Sequence, residues 1–359
     1  MFVLAAIAVL GVLIVVHELG HFLAARLQGI HVNRFSIGFG PVLLRYQGPK
    51  TEYALRALPL GGYVGFPDDD PDSTIPPNDP DLLKNRPVLD RAIVISAGVI
   101  ANIVFAYLIL VALPLFAGIP EAREQPGILV QQVMNQTSSA AKAGIKAGDV
   151  VLAADGQSLS GNRAGVEKLR QIIQGHPGRP VRFTLQRDRQ QRQVEITPDS
   201  EGKIGVSLTP NQAIERRPAR DIGEVFQTGS ESFGRVFSMT FESFQMLFSG
   251  KAGLGEVAGP VGIVAMTANL AQSDITNLFF VAALISVNLA IINILPLPAL
   301  DGGHLAFLFI EAVRGGKPLP SNIQEKVMQT GLVVLLGLAL LLIFKDSLTL
   351  LRNGGSMLP

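Results

Sequence analysis

The chain predicts an α-helical polytopic membrane protein, with about four transmembrane helices, a membrane-associated β-hairpin region and an inserted soluble α+β module. Three observations lead there. Four apolar stretches lie within or beyond the ~17–25 residues that a bilayer crossing needs. Overall, 48% of residues are hydrophobic and only 16% charged, against about 25% charged in soluble domains. Between the second and third stretches, short strand-like runs alternate with turns and one helical pattern. The chain has no cysteine, so disulfides and thiolate metal sites are excluded. A net charge of +1 gives no reason to expect nucleic acid as a partner.

Residues 1–26 form the first span, in which Phe2 to Val16 is unbroken and Phe22 to Ala25 continues the apolar run. Between them lies His17-Glu18-Leu19-Gly20-His21. Helical residues at i and i+4 share a face, so both imidazoles can reach one metal, with Glu18 beside it to take a proton from water. Ionisable groups inside a span are costly, and their default reading is functional. The plainer readings are a signal peptide, which would carry a basic leading region absent here, or an inert anchor with a chance match.

Residues 27–91 hold the hairpin region and an acidic, proline-rich loop. Pro41 to Gln47 and Thr51 to Leu58 flank Gly48-Pro49-Lys50 and read as two strands and a turn. The sheet either caps the helices or dips to the membrane surface, where its edge could pair with an extended substrate. Pro67 to Pro87, with Asp68-Asp69-Asp70, reads as a solvated linker rather than a cation site. Residues 92–119 form a second span, interrupted by Asn102, with Pro114 and Gly118-Ile119-Pro120 at its exit.

Residues 125–210 form the soluble module. Ala143 to Gly156 resembles the glycine-aspartate core of PDZ domains, and the segment has PDZ length and order. Such domains take extended peptides by strand addition beside a glycine-hydrophobic loop, which Gly127, Ile128 and Leu129 match. A degenerate module serving only as a steric plug is the alternative. Residues 219–250 carry Phe226, Phe233, Phe237, Phe241, Phe244 and Phe248 at helical spacing. They read as the apolar stripe of a helix lying on the membrane surface, or packed on the PDZ module. Residues 277–303 give a third span with Asn288 and Asn293, broken by Pro296 and Pro298 ahead of an Asp301-Gly302-Gly303 turn. Residues 327–351 give the fourth span and the start of the tail.

Taken together, His17-Glu18-x-x-His21 in the first span and Asn293-x-x-Pro296-x-Pro298-x-Leu300-Asp301-Gly302 after a late one resemble the site-2 proteases, intramembrane zinc metalloproteases. The bacterial branch inserts PDZ modules between its second and third core helices. The likeness covers essentially the whole chain and extends to Gly259-Pro260-Val261-Gly262. Two departures stand out: the family's Gly-Pro-x-x-Asn reads Gly98-Val99-Ile100-Ala101-Asn102, and there is one PDZ-like module where some members have two. The resemblance implies Zn2+ held by His17, His21 and Asp301, Glu18 as general base and acid, and Asn293 near the substrate backbone. Three protein ligands also leave the fourth position that catalytic zinc requires. His304 is the rival third ligand. Asp301 is preferred because it follows the proline break, and because a carboxylate lowers the net charge of the site.

The implied substrates are single-span membrane proteins such as anti-sigma factors or signal-peptide remnants, with lipid as a further partner and a peptide or substrate ectodomain at the PDZ module. A transporter or scaffold with a non-catalytic metal site is the rival function. Transport has no need of a glutamate between two histidines. Eight Lys and Arg fall in residues 26–91 and none precede the first span, which puts that loop in the cytoplasm and the PDZ module outside a bacterial plasma membrane. His17 lies roughly 22 Å along the helix from Phe2, in the cytoplasmic half.

Overall fold

The first helix ends where its apolar run ends: α1 (Phe2–Leu27) closes on Arg26, a cation placed favourably in the last turn. This computed structural model describes residues 2–352 apart from Pro71, Asp72, Gln136, Ala252, Leu254 and Glu256. The tail beyond Arg352 lies outside the described residues. Two units make up the chain, Met1–Ala117 with Ala219–Pro359, and Gly118–Pro218.

In the first unit, β1 (Arg34–Gln47) and β2 (Glu52–Gly65) follow α1. They are longer than the expected strands and form more than a simple hairpin. Leu44 to Gln47 pair in reverse order with Leu55 to Glu52, across the Gly48–Thr51 turn. Arg34 to Ile37 run alongside Glu52 to Leu55 in parallel, and also pair in reverse order with Gly65 to Gly62. Each strand therefore serves twice, and the far end of β2 returns toward α1. Some polar groups of the acidic loop find partners within the fold. Asp70 Oδ2 accepts from Asn33 Nδ2 (2.8 Å), Asp81 Oδ1 from Arg86 (2.6 Å), and Leu82 is buried. Next, α2 (Val88–Ala117) keeps Pro114 inside it, and the chain leaves the helix at Gly118, whose φ of 75° suits a glycine. Gly20 lets α1 and α2 approach closely: a Cβ there would lie 2.8 Å from Ala101 Cβ.

The second unit comprises β3 (Ile119–Val133), α3 (Ser139–Lys142), β4 (Val150–Ala154), β5 (Gln157–Ser158), α4 (Arg163–Gln174), β6 (Val181–Arg187), β7 (Gln190–Ile196) and β8 (Val206–Arg217). The antiparallel order is β7-β6-β4-β3-β8, with β5 on β4. It outgrows the expected 125–210 because β3 and β8 continue as a ribbon to Ile119 and Arg217. The β4–β5 turn is Asp155-Gly156, both at positive φ (47° and 74°), the pattern of a tight primed hairpin turn. Ile128, Val151, Leu169, Phe183 and Ile196 centre its core. Asp149, 1% exposed, accepts from Arg187 Nε (2.6 Å) and from the Lys146 N–H (2.8 Å). Burial pushes its carboxyl up, but these bonds and charges outweigh burial and hold it below the usual carboxylate range.

The first unit resumes with α5 (Ile222–Phe248), capped by Asp221, whose Oδ1 accepts from the Glu224 N–H (2.8 Å). Most of the phenylalanine stripe stays off the face it buries, although Phe233 packs on α2 against Tyr107. Val225, Gly229, Val236 and Thr240 turn inward, with Val236 among Ala106 and Leu110 of α2. Phe226, Phe241 and Phe248 stay 51%, 59% and 66% exposed. Small residues at 229 and 240 permit close helix packing that bulky rings would prevent. Then come α6 (Pro260–Ser273), α7 (Thr276–Ile294), α8 (Asp301–Val313) and α9 (Ser321–Arg352). α1, α2, α7 and α9 are long and apolar enough to cross a membrane. Among the described residues, α7 lies against α2 and α5, with Leu13 of α1 packed on Val281 and Ile285.

Candidate metal centre and active site

One turn of α1 separates His17 from His21, and their Nε2 atoms lie 3.2 Å apart. Asp301 Oδ2 comes to 3.2 Å from His17 Nε2 and 3.5 Å from His21 Nε2. That oxygen is buried and, apart from these two nitrogens, has no polar partner among the described residues. Zinc bonds of ~2.0–2.1 Å in tetrahedral array set ligand atoms roughly 3.3 Å apart, which these spacings match. Two imidazole nitrogens and one carboxylate oxygen are also donors of the type zinc takes, so the residues fit the metal. The structure brings together all three residues expected from the sequence. His304 lies on the exposed side of α8 and is not in this cluster.

The surroundings explain how the cluster is held. Prolines 296 and 298 end α7, and Ala299 takes a φ of 67°, unusual for a non-glycine and a form of strain often found at functional sites. The expected Gly302-Gly303 turn is instead the first turn of α8, starting at Asp301. A side chain at Gly302 would collide with the Leu295 backbone, and one at Gly303 with Leu297. The two glycines thus let α8 start against the broken end of α7 and deliver Asp301. At the other end of α8, Glu311 forms a two-pronged ion pair with Arg91 of α2.

On α2, Val94, Gly98 and Asn102 share one face at four-residue spacing. Val94 O lies 2.8 Å from His21 Nδ1, and Asn102 Nδ2 lies 3.3 Å from His17 Nδ1. Gly98 leaves room for both rings, since a Cβ there would lie 2.8 Å from His17 Cε1 and 2.7 Å from His21 Cε1. Over the other side passes β2. A Cβ at Gly62 would lie 3.0 Å from Glu18 Cγ, and the strand runs past Glu18 there. His17, Glu18, Asn102, Asn293 and Asp301 line one cavity of about 270 Å3. Asn293 thus lines the same cavity as the cluster.

Gly127, Ile128 and Leu129 sit elsewhere, on β3. Ile128 and Leu129 are paired on both sides, to Val151 and Val150 of β4 and to Pro210 and Thr209 of β8. A peptide cannot add as a strand beside them, because both edges are taken. The sequence reading missed the roles of Val94, Gly98, Gly62 and the Arg91–Glu311 pair. Asn102 was visible as a polar residue in an uncharged span, but its partner was not.

The sequence profile of peptidase family M50 matches residues 5–338. Over 352 residues the chain is 57% identical to a protein of Nostoc sp. provisionally named a zinc metalloprotease, covering 97% of this chain and 96% of the relative. It is 48% identical over 354 residues to the chloroplastic membrane metalloprotease ARASP of Arabidopsis thaliana, covering 97% and 79%. With the regulator of sigma-W protease RasP of Bacillus subtilis it shares 29% identity over 430 residues, covering 96% and 97%. A match of this extent, on a chain whose His-His-Asp cluster suits zinc, shows that the protein belongs to peptidase family M50, the site-2 protease family of zinc metalloproteases.

Proposed function

We propose that the protein is an intramembrane protease that hydrolyses peptide bonds within or near the membrane-spanning segment of single-span membrane proteins. The observation that carries this reading is the convergence of His17, His21 and Asp301 on one point, beside Glu18, with both histidines inside an apolar helix long enough to span a bilayer. In this reading His17 Nε2, His21 Nε2 and Asp301 Oδ2 hold zinc. When bound, zinc supplies Lewis acidity that polarises a carbonyl and makes water easier to deprotonate. Glu18 takes the proton from the attacking water and hands it to the amide nitrogen as the carbon–nitrogen bond breaks. Asn293, lining the same cavity, holds the substrate backbone.

A helical peptide bond is shielded, so the substrate must open locally before it is cut. The β1–β2 sheet is the candidate partner for the opened strand, since β2 passes over Glu18 and the sheet exposes Phe39, Leu43, Leu44 and Leu58. Residues 118–218 act as a PDZ-like module outside the cytoplasm, screening the outer portion of the substrate. Any peptide it takes would lie along β8, the outer strand beside α4. The likeness to RasP, whose name ties it to sigma-W regulation, favours anti-sigma factors or signal-peptide remnants as substrates.

Cleavage in liposomes tests the proposal. With a single-span substrate, mass spectrometry should place the cut inside the apolar segment, and a zinc chelator should abolish it reversibly. A cut confined to aqueous regions remote from the membrane-spanning segment would refute the reading.

A further inference from the structure

We propose that Asn102 is a positioning residue for the metal centre: its amide oxygen accepts a hydrogen bond from His17 Nδ1–H and so holds the imidazole with Nε2 toward the metal. The inference rests on the reading of His17 as a zinc ligand. Asn102 is 0% exposed in an otherwise apolar helix, where an amide is costly unless bonded. Its side chain lies 3.3 Å from His17 Nδ1, and its Oδ1 is buried without a partner among the described residues.

The chemistry of imidazole decides how this pair must be arranged. A neutral histidine carries its proton on one nitrogen and offers a lone pair on the other. If Nε2 is to donate to zinc, Nδ1 must carry the proton and needs an acceptor. The amide nitrogen cannot be that acceptor; the amide oxygen can. The two ends of an asparagine amide are nearly isosteric, and a half-turn about the last side-chain bond exchanges them. In that arrangement the orphaned oxygen gains a donor, the His17 Nδ1–H. The backbone position is held as well, because Ser286 Oγ of α7 donates to Asn102 O (2.8 Å).

His21 shows the same logic on the same helix face. Its Nδ1 lies 2.8 Å from Val94 O, an acceptor and nothing else, which leaves Nε2 for the metal. Thus α2 offers one backbone oxygen and one side-chain oxygen, two turns apart, with Gly98 between them leaving space for both rings. Groups of this kind fix tautomer and ring orientation, and their loss typically costs 10–100-fold in metal affinity.

The test compares Asn102→Leu and Asn102→Asp in the full-length purified protein, measuring zinc affinity by chelator competition and the visible spectrum of the cobalt-substituted form. Leucine removes the acceptor at similar volume, whereas aspartate keeps it. We expect Asn102→Leu to bind zinc about 10–100-fold more weakly with an altered cobalt spectrum, and Asn102→Asp to stay within about threefold of the parent or bind more tightly. Zinc affinity within about threefold in Asn102→Leu, or an equal loss in both variants, would overturn the role. His17→Ala runs alongside. If zinc survives that change, the ligand reading itself is wrong; if zinc is lost there but kept in Asn102→Leu, only the positioning role falls.

Discussion

At the start of α8, Asp301 and His304 stand three positions apart, and only Asp301 enters the cluster with His17 and His21. Asp301→Ala should therefore lose zinc and activity together, while His304→Ala should keep zinc and much of its rate. Metal content of the two purified variants decides the matter, and the reverse pattern would displace Asp301. At this scale the histidines were legible because helical spacing alone puts residues 17 and 21 on one face. Asp301 was legible as a carboxylate after a proline break. Its place in the first turn of a helix was not. Glycine pairs after prolines read as turns, and only the contacts of Gly302 with the Leu295 backbone show why they are helical here.

Among elements, the site depends on close approach. Because β2 crosses Glu18 at Gly62, Gly62→Ala should push the carboxylate aside. Turnover should fall on the order of 10–100-fold while zinc stays bound, since small misplacements of a reacting group carry penalties of that size. If zinc leaves as well, β2 supports the metal and not the base alone. At the Arg91–Glu311 pair, removing one partner strands a buried charge, so Glu311→Ala should destabilise by about 3–5 kcal/mol. That loss is measurable as a lowered unfolding midpoint in detergent. The four spans were readable from length and composition, with ends shifted by a few residues. The doubled β1–β2 pairing and the inward face of α5 were not. Both rest on which small residues meet across elements, and a single-strand or single-helix pattern does not contain that information.

For the whole molecule, the absence of cysteine makes sidedness directly measurable. A thiol introduced at Ser160 should label from outside intact cells and one at Ser73 should not; the opposite result would reverse the proposed topology. The 118–218 unit should also weaken in acid. Because the Asp149 carboxyl is held low in the folded unit, its contribution is present above the ordinary carboxyl value of ~4 and is lost as pH falls through the folded value. Protection of β4 and β6 against hydrogen exchange, relative to the intrinsic rate at each pH, should fall below that range, and Asp149→Asn should remove most of this dependence at a cost of about 2 kcal/mol. Exchange that is equally acid-sensitive in Asp149→Asn would assign the effect elsewhere. In the proposed mechanism Glu18 moves the proton while three other side chains hold zinc, and Glu18→Gln separates those jobs. Zinc content and substrate turnover measured on the same purified Glu18→Gln sample should show full metal with turnover lowered on the order of 100-fold or more. Unchanged cleavage by the zinc-loaded variant would rule out Glu18 as the proton carrier.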